Sequence, residues 1–206
     1  MYPPKHHQEY NFENIITTIK TFPLATIISV SNNKPVITHI PLLYIPNKGK
    51  YGSLIGHMDL NNPHHKLLDN AEISVLFHGP DCYISPTYYH TKQLPTWNYI
   101  KVHIEGSVHT MNDTDTLVNS MIAMNDFLET SDNPFILDEQ HEKMNKFINY
   151  IVGFEIIINK WEGKFKLSQD KLKKDQIAAK DALQTFNKQV YDQYLNTIYD
   201  RHINKK

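Results

Sequence analysis

The chain has 206 residues, enough for one substantial core with appended segments but crowded for two full domains. Hydrophobic residues make up 40% and charged residues 21%, and this composition excludes an intrinsically disordered chain. The longest apolar runs, residues 24–30 and 151–158, are too short to cross a bilayer, and a single cysteine excludes an intramolecular disulfide framework. Because the first ten residues lack an apolar leader, we expect a cytoplasmic protein without a membrane partner.

Charge is unevenly distributed, although the net charge is only −1. Residues 160–206 contain eleven Lys or Arg against six Asp or Glu, so this end carries +5 and residues 1–159 carry −6. The basic end is either a contact for nucleic acid or, as is commoner, a solvated helix face. Because Arg201 is the only arginine, a phosphate site has to use lysine, histidine, hydroxyl groups or backbone amides.

A short amphipathic helix and four strands are predicted in the first part of the chain. The helix covers residues 12–20, and the strands cover 24–30, 36–45, 51–58 and 71–79. The segment SNNKP (31–35) is typical of a hairpin turn, and NNPHHKLLDN (61–70) predicts a short helix. Asn61 or Asn62 is the expected N-cap of that helix and Pro63 its first residue.

The second part of the chain begins with a predicted loop over residues 80–99, which is rich in proline and tyrosine. It is followed by a strand over 99–110, helices over 112–129 and 141–151, and a strand over 152–163. Asn112 or Asp113 is the expected cap of the first of these helices. The last segment, 170–206, predicts a helix with an apolar stripe at positions 183, 186, 190, 194 and 198.

These elements predict a mainly β fold with appended helices (α+β). Six short strands connected by tight turns favour a Greek-key or meander barrel over a doubly wound parallel sheet. The sequence contains neither GxGxxG after a strand nor GxxxxGK[ST], so nucleotide binding by those routes is not expected.

Trp97, Asn98 and Tyr99 stand together where the fifth predicted strand begins. They either plug the end of a barrel or form the wall and hydrogen-bonding edge of a pocket for a flat ligand. The aromatic loop before them has the same two explanations, because aromatic side chains also suit a covered barrel mouth or a dimer interface. From the residues alone, the packing explanation is favoured.

Twelve histidines suggest a metal site, but no HExxH pattern and no Cys–His grouping occurs. A site has to be assembled in space, from residues such as His39, His57 and His103, and we expect no bound metal. Cys82 and Ser85 have no accompanying nucleophile motif, so we expect neither to be catalytic.

Several stretches of the sequence resemble the PaiB family of FMN-binding negative transcriptional regulators, within the split-barrel flavoproteins. They occur in the family's order: MYPPKHH (1–7), THIPL (38–42), GHMDLNNPHHK (56–66), FHGPDCYIS (77–85), PTWNYIKVHIEG (95–106), IVGFEI (151–156) and KLSQ (166–169). These stretches span about the first 170 residues, and the tail after Lys171 matches little.

The resemblance implies a six-stranded antiparallel split barrel that forms a homodimer, with FMN in a cleft between the subunits. It divides the chain into an FMN-binding barrel domain with inserted helices over residues 1–169 and a helical tail over 170–206. The tail is expected to pack on the barrel or on the partner subunit, because its apolar stripe exceeds what a free helix keeps in water.

The resemblance also implies residues that hold FMN. Trp97 and Tyr99 are expected to form apolar walls, while the amide of Asn98 meets polar atoms of the flavin ring. Lys66 is the leading candidate for the phosphate, because it follows a predicted helix N-terminus. Further expected donors are Thr38, His39 and His57.

The function implied by the resemblance is regulation of sporulation and degradative-enzyme genes. The sequence shows no helix-turn-helix or zinc-finger pattern, so contact with DNA is expected to be indirect or to use the lysine-bearing tail. The alternative is an FMN-dependent oxidoreductase or flavin reductase, in which the flavin carries the chemistry. A haem-binding split barrel, with His57 or His103 as axial ligand, is a minor alternative.

Overall fold

The computed structural model describes residue 1, residues 4–111 and residues 113–203, without the side chains of 145, 187–191, 193, 196–197 and 200–203. The chain forms two compact units. The smaller unit comprises Met1–Tyr10, Gly79–Lys101 and Gly163–Lys206, and the larger unit comprises Asn11–His78 and Val102–Glu162. No helix within the described ranges has both the length and the apolar composition that a membrane span requires.

Strands dominate the described part of the chain. The strands are β1 (Gln8–Glu9), β2 (Leu24–Ser31), β3 (Lys34–Pro41), β4 (Leu43–Ile45), β5 (Ser53–Asp59), β6 (Glu72–Ile84), β7 (Thr96–Thr110) and β8 (Ile151–Lys166). The α-helices are α1 (Phe12–Thr21), α2 (Thr114–Leu128), α3 (Glu142–Phe147) and α4 (Lys173–Ile203). Short 3-10 helices cover Lys5–His7, Pro63–Leu67, Pro86–Tyr88 and Ile148–Tyr150.

In the larger unit, which includes residues 72–78 of β6, 102–110 of β7 and 151–162 of β8, the strands lie side by side in the order β3-β2-β6-β7-β8-β5-β4. Strand β2 pairs antiparallel with β3 and β6, and β5 pairs antiparallel with β4 and β8. In the smaller unit, β1 pairs antiparallel with β8, with Gln8 opposite Lys164. A mainly antiparallel β fold with appended helices is therefore confirmed.

Eight strands are described where six were predicted, and two short strands account for the difference. The predicted strand 36–45 is interrupted at Leu42, whose side chain is fully buried and whose backbone N–H donates to the carbonyl oxygen of Pro23 (2.9 Å). This break separates β3 from β4. Strand β1 has only two residues, which is too short to produce a periodic sequence signal.

The predicted hairpin turn between β2 and β3 is confirmed. Asn32 and Asn33 form it with φ values of 50° and 60°, and Ser31 lies opposite Lys34. Two successive residues in the left-handed region match the right-handed twist of the flanking strands, and asparagine tolerates that region better than most residues.

Two of the predicted helix caps are also confirmed. Asn62 accepts a hydrogen bond from the backbone N–H of His64 (3.1 Å), and Asp113 accepts one from that of Thr116 (2.7 Å). The other candidate cap of α2, Asn112, lies outside the described residues. The element predicted at 61–70 is a 3-10 helix, and its first residue is Pro63 as expected.

The core of the larger unit includes buried side chains of the sheet and of α1. Its largest fully buried side chains come from α1 and several strands and include Ile15, Ile19, Ile27, Phe77, Ile104, Phe154 and Ile156. Asn11 begins α1 by accepting a hydrogen bond from the backbone N–H of Glu13 (3.0 Å).

The prediction of a loop over residues 80–99 was wrong at both ends. Strand β6 continues to Ile84 and β7 begins at Thr96, so only residues 85–95 connect them. Cys82 and Ile84 are fully buried, while Tyr83 between them is exposed. This period-two alternation is that of a half-buried strand, and the neighbouring prolines and glycine concealed it in the sequence.

The predicted C-terminal helix is α4, which begins at Lys173. Its Ala179 and Leu183 form a buried cluster with Cys82, Ile84 and Tyr89, so the first half of α4 packs on the end of β6 and the connection that follows it. Farther along the predicted apolar stripe, Phe186 and Tyr194 are exposed. Position 190 of that stripe lies outside the described side chains.

Candidate functional site

Asn98 on β7 has a side chain that is only 1% exposed. Its Nδ2 donates to Ser168 Oγ (3.1 Å), and Ser168 Oγ lies 3.2 Å from Asn98 Oδ1. The hydroxyl of Tyr89 lies 2.7 Å from the same Oγ, so it can donate while the Ser168 proton goes to Oδ1. Ser168 adopts φ 62° just after β8 ends. Together, Tyr89 and Ser168 fix the orientation of the Asn98 amide.

A cavity of about 670 Å³ lies in the smaller unit, with Asn98 in its wall. We call it the Asn98 cavity. One side is formed by α4, and the remainder by residues of β6, β7 and the segment after β8. Its apolar lining residues are Pro80, Ile100, Leu167, Ile177, Ala179 and Leu183, its amide side chains are Asn98, Gln169, Gln176 and Gln184, and its charged residues are Lys173 and Lys180. No carboxylate is among these lining residues, so the formal charges of the lining are positive only.

The Asn98 cavity fits FMN, the cofactor that the sequence resemblance implies. Cavities that bind small ligands and cofactors typically measure about 300–1,000 Å³, combining apolar walls with a few polar groups. Its apolar side chains suit the flat flavin ring, and its amides suit the hydrogen-bonding edge of that ring. The two lysines are suitable partners for a phosphate, which this chain has to bind almost without arginine.

Trp97 and Tyr99 flank Asn98 on β7, and successive side chains of a strand point to opposite faces. The indole Nε1 of Trp97 donates to Asp81 Oδ1 (3.0 Å), and the ring is 47% exposed. The Nζ of Lys164 lies 5.3 Å from the centre of the Tyr99 ring. Of these three predicted site residues, Asn98 alone belongs to the lining of the Asn98 cavity.

Thr38 belongs to a hydrogen-bonded network in the larger unit. Its Oγ1 accepts from Asn62 Nδ2 (3.1 Å) and lies 2.9 Å from His64 Nδ1. The other ring nitrogen of His64 lies 2.9 Å from Ser29 Oγ. Burial lowers the pKa of the fully buried His64, so this ring is neutral at pH 7. The network holds β2, β3 and the 3-10 helix at Pro63–Leu67 together.

His39 follows Thr38 on β3 and therefore points to the opposite face. Its Nδ1 lies 3.0 Å from Thr26 Oγ1, and the same oxygen lies 3.2 Å from His78 Nε2. Both imidazoles are exposed, so His39 remains accessible to a ligand of the larger unit.

His57 is hydrogen-bonded to α2. Ser120 Oγ donates to the carbonyl oxygen of Leu117 (2.7 Å), so it accepts from His57 Nε2 (2.7 Å). Burial lowers the pKa of His57 to about 4, which keeps the ring neutral at pH 7. Because Nε2 is occupied by this hydrogen bond, an axial bond to haem through that atom would require breaking it.

Lys66 is exposed on the 3-10 helix Pro63–Leu67. A 3-10 helix of five residues aligns few peptide dipoles, so it offers a phosphate less than the expected α-helix would. A role for Lys66, Thr38, His39 and His57 in binding FMN stays a prediction.

A second cavity, of about 580 Å³, lies in the larger unit between α2 and the sheet. Its lining carries the carboxylates of Asp113 and Glu155 against one lysine, Lys48, whose Nζ lies 2.9 Å from Glu155 Oε2. This excess of carboxylates makes the second cavity less suitable than the Asn98 cavity for a ligand that carries a phosphate.

The part of α4 that lines the Asn98 cavity was not predicted as part of a site. Lys173, Gln176 and Lys180 lie outside the stretches that carry the family resemblance. The available signal was helical spacing, because residues three, four and seven positions apart lie on one face of a helix.

Residues 1–160 match the family model described as "Putative FMN-binding domain". Over 186 residues, the chain is 29% identical to the protease synthase and sporulation protein PAI 2 of Bacillus subtilis (strain 168). That match covers 89% of this chain and 89% of the relative.

Solved structures of other flavin proteins have a similar fold. The FAD and heme binding protein from Mycobacterium smegmatis gives a TM-score of 0.62 at 17% identity, covering 84% of this chain and 80% of that one. A flavocytochrome from Azotobacter vinelandii gives a TM-score of 0.58 at 16% identity, covering 77% and 69%. At these identities the similarity shows the fold alone, and that fold is the split barrel predicted from the sequence. The chain belongs to the PaiB family of FMN-binding split-barrel proteins, and its cofactor is FMN.

Proposed function

We propose that the protein is a homodimeric, FMN-binding regulator whose flavin occupies the Asn98 cavity, which the partner subunit completes as the cleft between subunits that the sequence resemblance implies. The observation that carries this proposal is the chemistry of the cavity lining, which combines apolar walls and side-chain amides with two lysines and no carboxylate. The buried contacts of Asn98 with Ser168 support it further, because they present a fixed amide to the ring instead of a freely rotating one.

The regulatory part of the proposal is supported by the Bacillus subtilis relative, whose name links it to protease synthesis and sporulation. Regulation requires contact with DNA, either direct or through another protein. The basic end of the chain, at +5 over residues 160–206, is the candidate surface for direct contact.

FMN titration tests the cofactor part. We expect FMN to bind the wild-type chain with quenching of its fluorescence, and Asn98→Leu to weaken binding about tenfold or more, because hydrogen bonds to the ring edge are lost. Asn133→Leu is the matched control, since Asn133 is exposed in the connection after α2. Equal affinities for Asn98→Leu and Asn133→Leu, with both variants folded by circular dichroism, would contradict the placement of FMN in this cavity.

A gel-shift measurement tests the regulatory part. The FMN-loaded protein is expected to shift promoter DNA at low salt and to release it as salt rises, because the electrostatic contribution is screened. Absence of a shift at low salt excludes direct contact and leaves regulation through a partner. Oxidation of NADH or NADPH faster than by free FMN would instead favour the oxidoreductase alternative.

A further inference from the structure

The second cavity plays no part in the proposed function. All of its lining residues belong to the larger unit, so it is separate from the Asn98 cavity. Its lining carries the carboxylates of Asp113 and Glu155 against the single lysine Lys48. We propose that this cavity binds a small organic cation, namely a protonated amine that carries an apolar group.

One wall of the second cavity is a single face of α2. Four lining residues have the spacing that places side chains on one side of a helix: Thr116, Asn119, Ser120 and Ala123. The rest of the lining comes from β5, β7, β8 and the segments next to them. The volume of about 580 Å³ lies within the range of about 300–1,000 Å³ that is typical of small-ligand sites.

The wall formed by α2 is connected to the sheet by a hydrogen bond. Ser120, which lines the cavity and is buried, accepts from His57 Nε2 on β5 (2.7 Å). The hydroxyl proton of Ser120 goes to the carbonyl oxygen of Leu117 (2.7 Å). These contacts hold the wall in place before a ligand arrives, which lowers the entropic cost of binding.

The lining combines apolar surface with hydrogen-bond acceptors. The apolar surface is provided by Ile55, Met111 and Ala123. The side-chain oxygens of Thr116 and Asn119 are acceptors beside the two carboxylates. An alkylammonium group has three N–H donors and no acceptor. An amine with an apolar group therefore matches both kinds of surface.

Glu155 presents a carboxylate in a fixed position. Its side chain is 16% exposed, and its Oε1 accepts a hydrogen bond from Ser53 Oγ (2.6 Å). Its Oε2 accepts one from Lys48 Nζ (2.9 Å), and the side chain of Lys48 is 53% exposed. Because an ionised carboxylate has about four lone-pair sites, Glu155 retains acceptor capacity for an ammonium group. Lys48 then competes with the ligand for the same carboxylate.

Asp113 supplies the second negative charge of the lining. Its Oδ1 accepts a hydrogen bond from the backbone N–H of Thr116 (2.7 Å), which lowers the pKa of this carboxyl and keeps it ionised at pH 7. The larger unit contains fifteen Asp or Glu against eight Lys or Arg, so it carries −7. A field of this sign attracts cations. The surroundings of the cavity therefore favour the same sign of ligand as its lining.

The experiment compares three probes with the same aromatic group in NMR titrations of the full chain. The probes are phenethylamine, phenethyl alcohol and phenylacetate, and the measurements are made at about pH 8, where an amine is protonated and an imidazole is not. We expect phenethylamine to bind about tenfold or more tightly than phenethyl alcohol, and phenylacetate to bind most weakly. The backbone amide signals of the lining residues should shift.

Variants of the charged residues test whether the second cavity is responsible. In Asp113→Asn/Glu155→Gln, we expect phenethylamine to bind no more tightly than phenethyl alcohol. Asparagine caps a helix as well as aspartate does, so this variant should keep α2. In Lys48→Gln, phenethylamine should bind severalfold more tightly, because the competing ammonium is removed. Asp115→Asn is the matched control, since Asp115 is exposed in the first turn of α2 and absent from this lining.

Equal affinities for the three probes, or no saturable binding of phenethylamine at millimolar concentrations, would overturn the inference. So would an Asp115→Asn variant that weakens phenethylamine as strongly as the double variant does, because the overall charge of the larger unit would then be responsible. FMN affinity should be the same in the wild type and in all of these variants, because the two cavities share no lining residue. Failure of this inference therefore leaves the proposed function intact.

Discussion

His57 and His64 form hydrogen bonds with neutral hydroxyl groups in the larger unit. The partner of His57 is Ser120, and those of His64 are Thr38 and Ser29. A hydroxyl does not compensate a positive charge as a carboxylate would, so burial dominates and lowers the pKa of both rings. Each imidazole therefore acts as a neutral hydrogen-bonding group that ties elements of the sheet to a helix.

The pKa of His57 predicts a loss of stability in acid. Because this pKa falls from 6.5 to about 4 on folding, the unfolded chain binds the proton more readily. The free energy of unfolding therefore decreases as the pH drops from 6.5 to about 4. The stability associated with neutral His57 is fully present above pH 6.5. At about 1.4 kcal/mol per pKa unit, this one group accounts for a loss of roughly 3 kcal/mol.

Urea unfolding at neutral pH and at the acid end of this window measures the effect. The variant His57→Gln is expected to depend less steeply on pH than the wild type, while His6→Gln, at an exposed position, keeps the wild-type dependence. A His57→Gln variant that loses as much stability in acid as the wild type would show that another group is responsible.

Asn98 and the caps illustrate which residues are predictable from sequence. Asn62 and Asp113 were predicted because a cap contacts residues two or three positions away. Asn98 was predicted from its aromatic neighbours and the family resemblance. Its partner Ser168 is 70 positions distant and is held in an uncommon backbone conformation, so no local pattern identified it.

At the scale of elements, hydrogen bonds to Asp175 connect the segment between β6 and β7 to the first turn of α4. Its carboxylate accepts hydrogen bonds from the backbone N–H groups of His90 (2.6 Å) and Thr91 (3.3 Å) and from the Thr91 hydroxyl. The side chain of Asp175 is fully buried. These contacts explain how the first turn of α4 is held in position.

We propose that the second half of α4 forms the interface of the homodimer that the sequence resemblance implies. Tyr194 and Leu195 are large apolar side chains that are 58% and 44% exposed, and they lie in the tail that is expected from the sequence to pack on the barrel or on the partner subunit. We expect Tyr194→Glu/Leu195→Glu to shift the protein from dimer to monomer in sedimentation velocity, because burying two carboxylates is costly. Leu94→Glu, at an exposed leucine of the connection before β7, should leave the dimer intact. A dimer that persists in the double variant would show that α4 is not the interface.

Strands were more predictable than the connections between them. Apolar runs and alternation between turn residues identified the six long strands, but Gly79 and Pro80 suggested a loop where β6 in fact continues. Gly79 has a packing reason, since a Cβ there would lie 2.9 Å from Ile100 Cβ on β7. A close approach between strands depends on their pairing, which the local sequence does not contain.

At the scale of the whole molecule, the barrel could be predicted from the sequence, whereas the cavity beside the C-terminal helix could not. The barrel was predictable because short strands, tight turns and ordered family stretches all indicated it. The cavity was not, because it forms only when α4 packs against β6 and β7. Two of the basic residues of the tail line the Asn98 cavity, so part of the uneven charge is located there.

A crystal structure of the protein with saturating FMN is the most direct test of where the flavin binds. We expect the flavin ring in the Asn98 cavity, within hydrogen-bonding distance of the Asn98 amide. Density for FMN beside Thr38, His39 and Lys66, with the Asn98 cavity empty of ligand, would contradict it.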